Sequence, residues 1–345
     1  MDEIKYTKVS PDEDLKSILK KLDSSNIKIL FCCDSQDKYI GTITDGDIRR
    51  SILKHEINKL KADLICNKKS LTSSERSIDN TILEAKNKQI KYIPIIRDGF
   101  LLKVISIAQN FPNNYPPVVL MAGGLGKRLG DITKDKPKPL VEVTEDSSII
   151  DLILMNLISS GFKDIHITLN HMAEKIQKYL EDKYTEDVKI TFTVENKKMG
   201  TAGSLYYLRE YLREDFIVMN SDIITTLNFS SLLEFHKKNK NLISVVANKT
   251  SYQISKGVIE HVDSTITAIN EKPKIDYTYS AGIYVLNSQC LRKLKDEYLD
   301  MPDLIREYIP TKKVGIFPLM EYWKDLGIPE DLEEAKRYLS DSSLD

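Results

Sequence analysis

Residues 121–143, MAGGLGKRLGDITKDKPKPLVEV, set bare backbone beside a run of cations. Gly123, Gly124 and Gly126 weaken any regular element, and Lys127, Arg128, Lys134, Lys136 and Lys138 repel one another. Both features make sense in a loop that closes on a highly anionic group, where exposed N–H groups and cationic side chains share one ligand. The spacing excludes two familiar phosphate loops: GxxxxGK[ST] is absent, and the glycines do not follow GxGxxG. Three further stretches carry chemistry-bearing residues. VENKKMGTAGSL (194–205) holds Glu195 ahead of Gly200, Thr201 and Gly203, and FIVMNSDII (216–224) is an apolar run ending at Asp222. WKDLGIPEDLEEA (323–335) holds Asp325.

These residues need elements to position them. PPVVLM reads as a buried strand feeding straight into the glycines, and FIVMN as another. In an open α/β sheet, ligands sit beyond the carboxyl ends of such strands, where Gly123 and Asp222 fall. Upstream, NFPNNYPPV (110–118) has too much Pro and Asn for a helix or central strand, so it marks a domain boundary. Residues 1–112 contain two similar units of helix and short strands, repeating after about fifty residues. In the first, Ser10 is the candidate N-cap, followed by Pro11 and the helical period of Leu15, Ile18, Leu19 and Leu22.

Bulk properties bound the function. The chain has 345 residues, 41% of them hydrophobic, and a formal net charge of -1. That charge provides no global basic field for nucleic acid, so any anion site is local. No apolar run is long enough to span a membrane and MDEIKYTKVSPDEDLK does not read as a signal peptide, so the expected location is cytoplasmic. Cys32, Cys33, Cys66 and Cys290 show no metal-ligand spacing and read as reduced, buried thiols. The five histidines form no HxxxH or HxH pair; His166 and His171 read as packing or surface residues near a strand end.

The string GGLGKRLGDITKDKPKPLVEV resembles the signature of the sugar-phosphate nucleotidyltransferases, departing at Gly130-Asp131, where that family has Pro-Leu. The resemblance runs over nearly all of 117–340, through further motifs in the expected order. It implies attack of a sugar 1-phosphate oxygen on the α-phosphorus of a nucleoside triphosphate, with pyrophosphate leaving. Arg128 would then hold the departing pyrophosphate and Lys138 the α-phosphate, with Gly123, Gly124 and Gly126 at the nucleotide. Lys134 and Lys136 read as solvated. Glu195 would read the nucleobase edge, with Gly200, Thr201 and free N–H groups of a helix starting near Ala202 beside the nucleotide. Glu271 and Lys272 of AINEKP, and Gly282 of YSAGIYVL, would contact the sugar and its phosphate. Asp222 and Asp325 would share Mg²⁺, with Ile328 where the family has Thr.

The N-terminal repeat resembles a pair of cystathionine-β-synthase (CBS) modules, most specifically at GTITDGDIRR. That resemblance puts Thr44 and Asp47 on the phosphate and ribose of a regulatory adenine nucleotide. The second copy has Ser106 but Gln109 in the Asp position. The pair either senses a nucleotide or only dimerises and supports the other half; CBS pairs often meet face to face, which implies a homo-oligomer.

The expected fold is therefore α/β: a Rossmann-like nucleotidyltransferase domain with a mixed, mostly parallel sheet at 117–345, preceded by an α+β CBS-domain pair at 1–112. This two-part architecture resembles the bacterial glucosamine-1-phosphate guanylyltransferases of legionaminic acid biosynthesis and flagellin glycosylation. The leading expectation is GMP transfer from GTP to glucosamine 1-phosphate. The alternatives are mannose 1-phosphate with GTP, glucose 1-phosphate with UTP or dTTP, and a non-catalytic nucleotide sensor.

Overall fold

The sequence divides its apolar residues between short amphipathic helices at the front and long buried strands behind, and the computed structural model follows that division. It describes residues 4–74, 77–87, 90–107, 115–124, 126–184 and 188–342. The chain forms two units, Met1–Asn113 and Asn114–Asp345, each with its own core. Gln109 lies outside the described residues, as does most of the Asn- and Pro-rich segment.

In the first unit, α1 (Leu15–Ser24) buries Leu15, Ile18 and Leu22. Its cap is Asp14, which accepts from the Ser17 amide, not Ser10. Ser10 and Pro11 instead form the preceding turn, where Glu13 accepts from the Ser10 N–H. Strand β1 (Thr7–Val9) pairs parallel with β2 (Ile29–Cys33), which pairs antiparallel with β3 (Tyr39–Thr44). Then come α2 (Asp45–Ile52), α3 (Ala62–Ile65), α4 (Ile78–Asn87) and the hairpin β4 (Tyr92–Arg97) and β5 (Phe100–Ser106). The repeat is visible in the pairing: Ser73 bridges Ile95 in parallel, as β1 does β2. Phe31 and Cys33 of the first copy share a core with Leu101 and Val104 of the second.

The second unit contains β6 (Val118–Ala122), α5 (Ile149–Ser159), β7 (Asp164–Leu169), α6 (Ala173–Lys183), β8 (Lys189–Val194), α7 (Gly200–Gly203) and β9 (Asp215–Asn220). It continues with β10 (Ile223–Thr225), α8 (Phe229–Lys238), β11 (Ile243–Gln253), β12 (Val258–Val262), β13 (Thr265–Asn270) and β14 (Lys274–Asn287). Last are α9 (Met301–Tyr308), β15 (Val314–Pro318), β16 (Trp323–Asp325) and α10 (Pro329–Ser342). Among the described residues the main sheet runs β15-β11-β14-β9-β6-β7-β8, and only β14 is reversed. This is the mixed, mostly parallel sheet the sequence implies.

The central strands are apolar on both faces, as a sheet covered on both sides requires. In β6, Val118, Leu120 and Ala122 enter one core while Val119 enters the other; in β9, Ile217 and Met219 oppose Phe216 and Val218. His166 lies within β7, 4% exposed. The outer halves of β11 and β14 leave the sheet as a two-stranded ribbon, with Tyr252 and Tyr277 exposed. Among the described residues no helix is long and apolar enough to cross a membrane.

Candidate active site

Because β6, β7, β8 and β9 are parallel, their carboxyl ends share one edge of the sheet. That edge collects Gly123 after β6, Asn170 after β7, Glu195 after β8 and, just past β9, Asp222. A Cβ on Gly123 would lie 3.4 Å from Oε1 of Glu195, so the carboxylate closes on that glycine. Gly126 has φ +64, and a Cβ there would stand 3.0 Å from Cβ of Lys138. Glycine thus lets the loop fold onto the lysine, and Thr133 Oγ1 secures it by donating to the Gly126 carbonyl at 2.9 Å.

Lys138 sits between Pro137 and Pro139, which fix its backbone, and is 8% exposed. Its Nζ donates to Oδ2 of Asp222 at 2.5 Å. The small sheet β10–β16 then brings in the second aspartate: Ile223 pairs with Asp325, and the Leu326 N–H donates to the Asp222 carbonyl at 2.8 Å. Two carboxylates about a hundred residues apart in sequence therefore become neighbours through one hairpin-like pairing.

Oδ1 of Asp222 and Oδ1 of Asp325 are both buried without a hydrogen-bond partner. Burial, and then the negative charge of Asp222, push the Asp325 carboxyl above its ordinary range, against the weaker pull of Lys138 and Arg128. Arg128 extends over Gly327, where a Cβ would fall 3.1 Å from the guanidinium. The cluster thus contains two carboxylates and two cations, and the acids keep open lone pairs. Those oxygens suit a hard divalent cation that draws its remaining ligands from water and phosphate. Among the described residues no group of three or more His, Cys, Asp or Glu could hold a metal by itself.

Glu195 is half-buried. Burial raises its carboxyl pKa, and hydrogen bonds from Met199, Asn170 and Ser204 offset part of that rise. Gly282 has φ +72, and a Cβ there would meet Ile223 and Asn220 at 2.6 and 2.7 Å, so it lies against the strand end that carries Asp222.

Other expected residues are placed differently. The helix of the GTAG motif starts at Gly200, not near Ala202, and its N–H groups are not free. Ala202 and Gly203 donate to the Leu299 carbonyl, and Thr201 N donates to Asp300 Oδ1 at 3.1 Å. Gly200, at φ +78, makes room for the same loop, since its Cβ would lie 2.5 Å from the Leu299 oxygen. Glu271 and Lys272 are exposed at the outer end of the β11–β14 ribbon. From Lys274 to Gly282 is up to about 26 Å along β14 at an extended rise, so the structure does not join Glu271 and Lys272 to the Lys138–Asp222–Asp325 cluster. Lys134 is exposed, and Lys136 pairs with Glu142 at 2.6 Å.

In the first unit, Thr44 and Asp47 form the capping box of α2 rather than an open ligand site. Oδ2 of Asp47 accepts from Thr44 N at 2.9 Å and Thr44 Oγ1 at 2.6 Å, and Oδ1 accepts from Arg50 at 2.5 Å. Asp47 is 6% exposed. Its oxygens are engaged, so the ribose-binding role expected of it is not supported by its geometry.

Two contributors escaped the sequence reading. Gly327 seats Arg128, and Asp300 organises Thr201; the Gly in WKDLGIP is the signal that could have marked the first.

Comparison with known proteins agrees with this layout. Residues 117–342 match the family model described as nucleotidyl transferase, and residues 2–54 match the CBS domain. A mannose-1-phosphate guanyltransferase of Yarrowia lipolytica is 37% identical over 242 residues, covering 65% of this chain and 64% of that protein. Its Saccharomyces cerevisiae counterpart is 35% identical over 230 residues, 62% of each chain. The chain thus spans less than two thirds of the length of these curated relatives. Among solved structures, HddC of Yersinia pseudotuberculosis superposes with a TM-score of 0.52 at 24% identity, covering 65% of this chain and 99% of that one. A putative glucose-1-phosphate thymidylyltransferase of Bacillus anthracis gives 0.52 at 22% identity, covering 64% and 94%. At that identity the likeness is one of fold.

Proposed function

The chain belongs to the nucleotidyl transferase family, and on that premise we propose that it transfers GMP from GTP to a hexose 1-phosphate. An oxygen of the sugar phosphate forms a bond to the α-phosphorus. The bond from that phosphorus to the bridging oxygen breaks, and pyrophosphate leaves with the electron pair. The observation that carries this reading is the cluster of Arg128, Lys138, Asp222 and Asp325, with a buried, unpartnered oxygen on each carboxylate.

Lys138, held between two prolines, provides a fixed positive charge for the α-phosphoryl oxygens, and Arg128 neutralises the leaving pyrophosphate. A divalent cation, Mg²⁺ on this reading, held by Asp222 and Asp325, would neutralise charge that develops on the phosphates. The backbone of Gly123, Gly124 and Gly126 borders the nucleotide, with Gly200 and Thr201 nearby. Glu195 selects guanine because a carboxylate accepts from both N1–H and N2–H₂, whereas uracil and thymine present one N–H between two carbonyls. Gly282 borders the sugar. Glu271 and Lys272 enter as sugar-phosphate contacts on the resemblance of AINEKP alone. The unsatisfied carboxylates favour catalysis over the non-catalytic reading.

Two acceptors are considered, on different grounds. Mannose 1-phosphate follows from the names of the relatives. Glucosamine 1-phosphate, in a legionaminic acid and flagellin glycosylation setting, rests on the resemblance of the two-part architecture alone. The engaged Asp47 favours a structural or dimerising role for the N-terminal unit over nucleotide sensing. Pyrophosphate release from GTP, UTP and dTTP, each with mannose, glucosamine and glucose 1-phosphates, tests the assignment. Release from GTP with mannose or glucosamine 1-phosphate supports it, and release confined to UTP or dTTP overturns the guanylyl part.

A further inference from the structure

β7 and β8 are parallel neighbours, with Leu169 opposite Val194. The pairing runs one residue further, because Glu195 N donates to the Leu169 carbonyl at 2.7 Å. Asn170 and Glu195 therefore leave the sheet side by side. Asn170 Nδ2 donates to Oε2 of Glu195 and to the Lys197 carbonyl, each at 3.4 Å. Both partners are acceptors, so the amide nitrogen, rather than the amide oxygen, faces them. A Cβ on Gly123 would stand 3.3 Å from Cβ of Asn170 and 3.4 Å from Oε1 of Glu195. The glycine loop, the amide and the carboxylate thus converge.

The groups that hold Glu195 are uncharged. Besides Asn170 they are the Met199 N–H and the Ser204 side chain. The charged and titratable side chains nearby are engaged elsewhere. Lys197 pairs with Asp296 at 3.1 Å, Lys198 lies over the Tyr298 ring, and the Tyr207 hydroxyl donates to Asp296 at 2.8 Å. A lysine or arginine against the carboxylate would compete with the N–H groups of a base, whereas an amide fixes it and leaves lone pairs open. Met199 and Ser204 belong to the segment that follows Glu195. Asn170 instead stands at the end of β7, and the chain enters α6 directly after Met172 at φ +51. Its amide ties the carboxylate to the sheet, across the strand ends.

That tie bears on base selection. A glutamate side chain has several rotors, and its two oxygens meet N1–H and N2–H₂ of guanine together only when the carboxylate plane is aligned with the base edge. Ordering the rotors in the free protein lowers the entropy lost on binding. Uracil, with one N–H between two carbonyls, gains far less from the same alignment.

We propose that Asn170 is a positioning residue for base selection, which holds the Glu195 carboxylate in the orientation that favours guanine. The inference rests on the guanine reading of Glu195 given above and names what orients that carboxylate. The test is a calorimetric Kd for GTP and for UTP on the full chain with Mg²⁺, over a pH series, in wild type and variants. Asn170→Ala should weaken GTP roughly three- to tenfold and UTP by less than about twofold. Asn170→Asp has nearly the same shape but sets a like charge against Glu195. It should weaken GTP further, and its loss of GTP affinity on acidification should begin at higher pH than in wild type. Asn170→Ser, which keeps a donor, should recover part of the affinity. In a Glu195→Gln background the effect of Asn170→Ala should shrink. Equal losses for GTP and UTP, or an unshifted pH profile in Asn170→Asp, would leave Asn170 a purely structural residue and overturn the proposal. A wild type that prefers GTP beside an Asn170→Ala protein that prefers it equally overturns the proposal alone. A wild type without that preference overturns the Glu195 reading, and the proposal with it.

Discussion

Asp47 and Asp222 both follow a strand, and both read from the sequence as ligand-binding carboxylates. They differ in what their oxygens do. Asp47 spends both on Thr44 and Arg50 at the head of α2. Asp222 gives one oxygen to Lys138 and keeps the other buried and open, as Asp325 does beside it. Asp151 belongs with Asp47: it accepts from Ser148, Tyr179 and Tyr184, and is fully buried. A satisfied carboxylate holds structure together; an unsatisfied one at a strand end is poised for a ligand.

The sharpest way to break this contrast is to neutralise the open carboxylates. Asp222→Asn and Asp325→Asn should each lower kcat by about 10³ with the fold intact. Because ionised Asp325 is disfavoured in the folded state, its pKa being raised, Asp325→Asn should not lower Tm at pH 7. A folded variant turning over at the wild-type rate would remove that residue from the site.

Next come the cations. Arg128→Ala and Lys138→Ala should slow the reaction roughly 10²–10³-fold, the scale for losing one preorganised charge. Lys134→Ala, exposed in the same loop, should stay near the wild-type rate. A Lys134 defect equal to that of Arg128 would show that the whole loop, rather than Arg128 and Lys138 alone, neutralises the phosphates.

Glu195 should have a smaller, selective effect. GTP should be preferred over UTP in kcat/KM by at least about tenfold, and Glu195→Gln should narrow that ratio. Its pKa is raised by burial, so the acceptor form is lost as pH falls through a value above the ordinary 4.5. KM for GTP should therefore rise on acidification, more than in Glu195→Gln, as a pH series of initial rates would show.

The satisfied carboxylates should act on stability alone. Asp47→Ala should cost about 0.5–2 kcal/mol, the value of a helix cap, and leave basal turnover unchanged. Asp151→Asn should lose about 1–3 kcal/mol near neutral pH. Burial pushes the Asp151 carboxyl up, but hydrogen bonds from Ser148, Tyr179 and Lys183 outweigh it and hold the pKa below 3.8. Its contribution is then present above the unfolded pKa and vanishes as pH falls through the lower folded one. Denaturant melts at pH 7 and at about pH 2 should show the gap between wild type and Asp151→Asn closing.

Much of this was legible in the sequence. Continuous apolar runs such as VVLM and FIVM announce strands buried on both faces, and the glycines before Lys127 announce the loop. Asp222 could be placed at a strand end because parallel strands all finish on one edge. What pairs it with Asp325 is the β10–β16 register, and no local pattern predicts a contact across a hundred residues. Two motifs carry a structural meaning beside the ligand-binding one. T-x-x-D before a helix is the spacing of a capping box as well as of a ligand motif, and only the hydrogen bonds separate the two. In the same way, Gly200 and Thr201, read as nucleotide contacts, also pack on the loop at Leu299 and Asp300: a Cβ on Gly200 would lie 2.5 Å from the Leu299 oxygen, and Thr201 N donates to Asp300.

The most direct test compares pyrophosphate release from GTP and mannose or glucosamine 1-phosphate, with Mg²⁺, in wild type, Asp325→Asn and Asp47→Ala. The open-carboxylate account predicts a wild-type rate for Asp47→Ala and a loss of about 10³ for Asp325→Asn. An active Asp325→Asn protein, or an Asp47→Ala protein that folds but does not turn over, would contradict it.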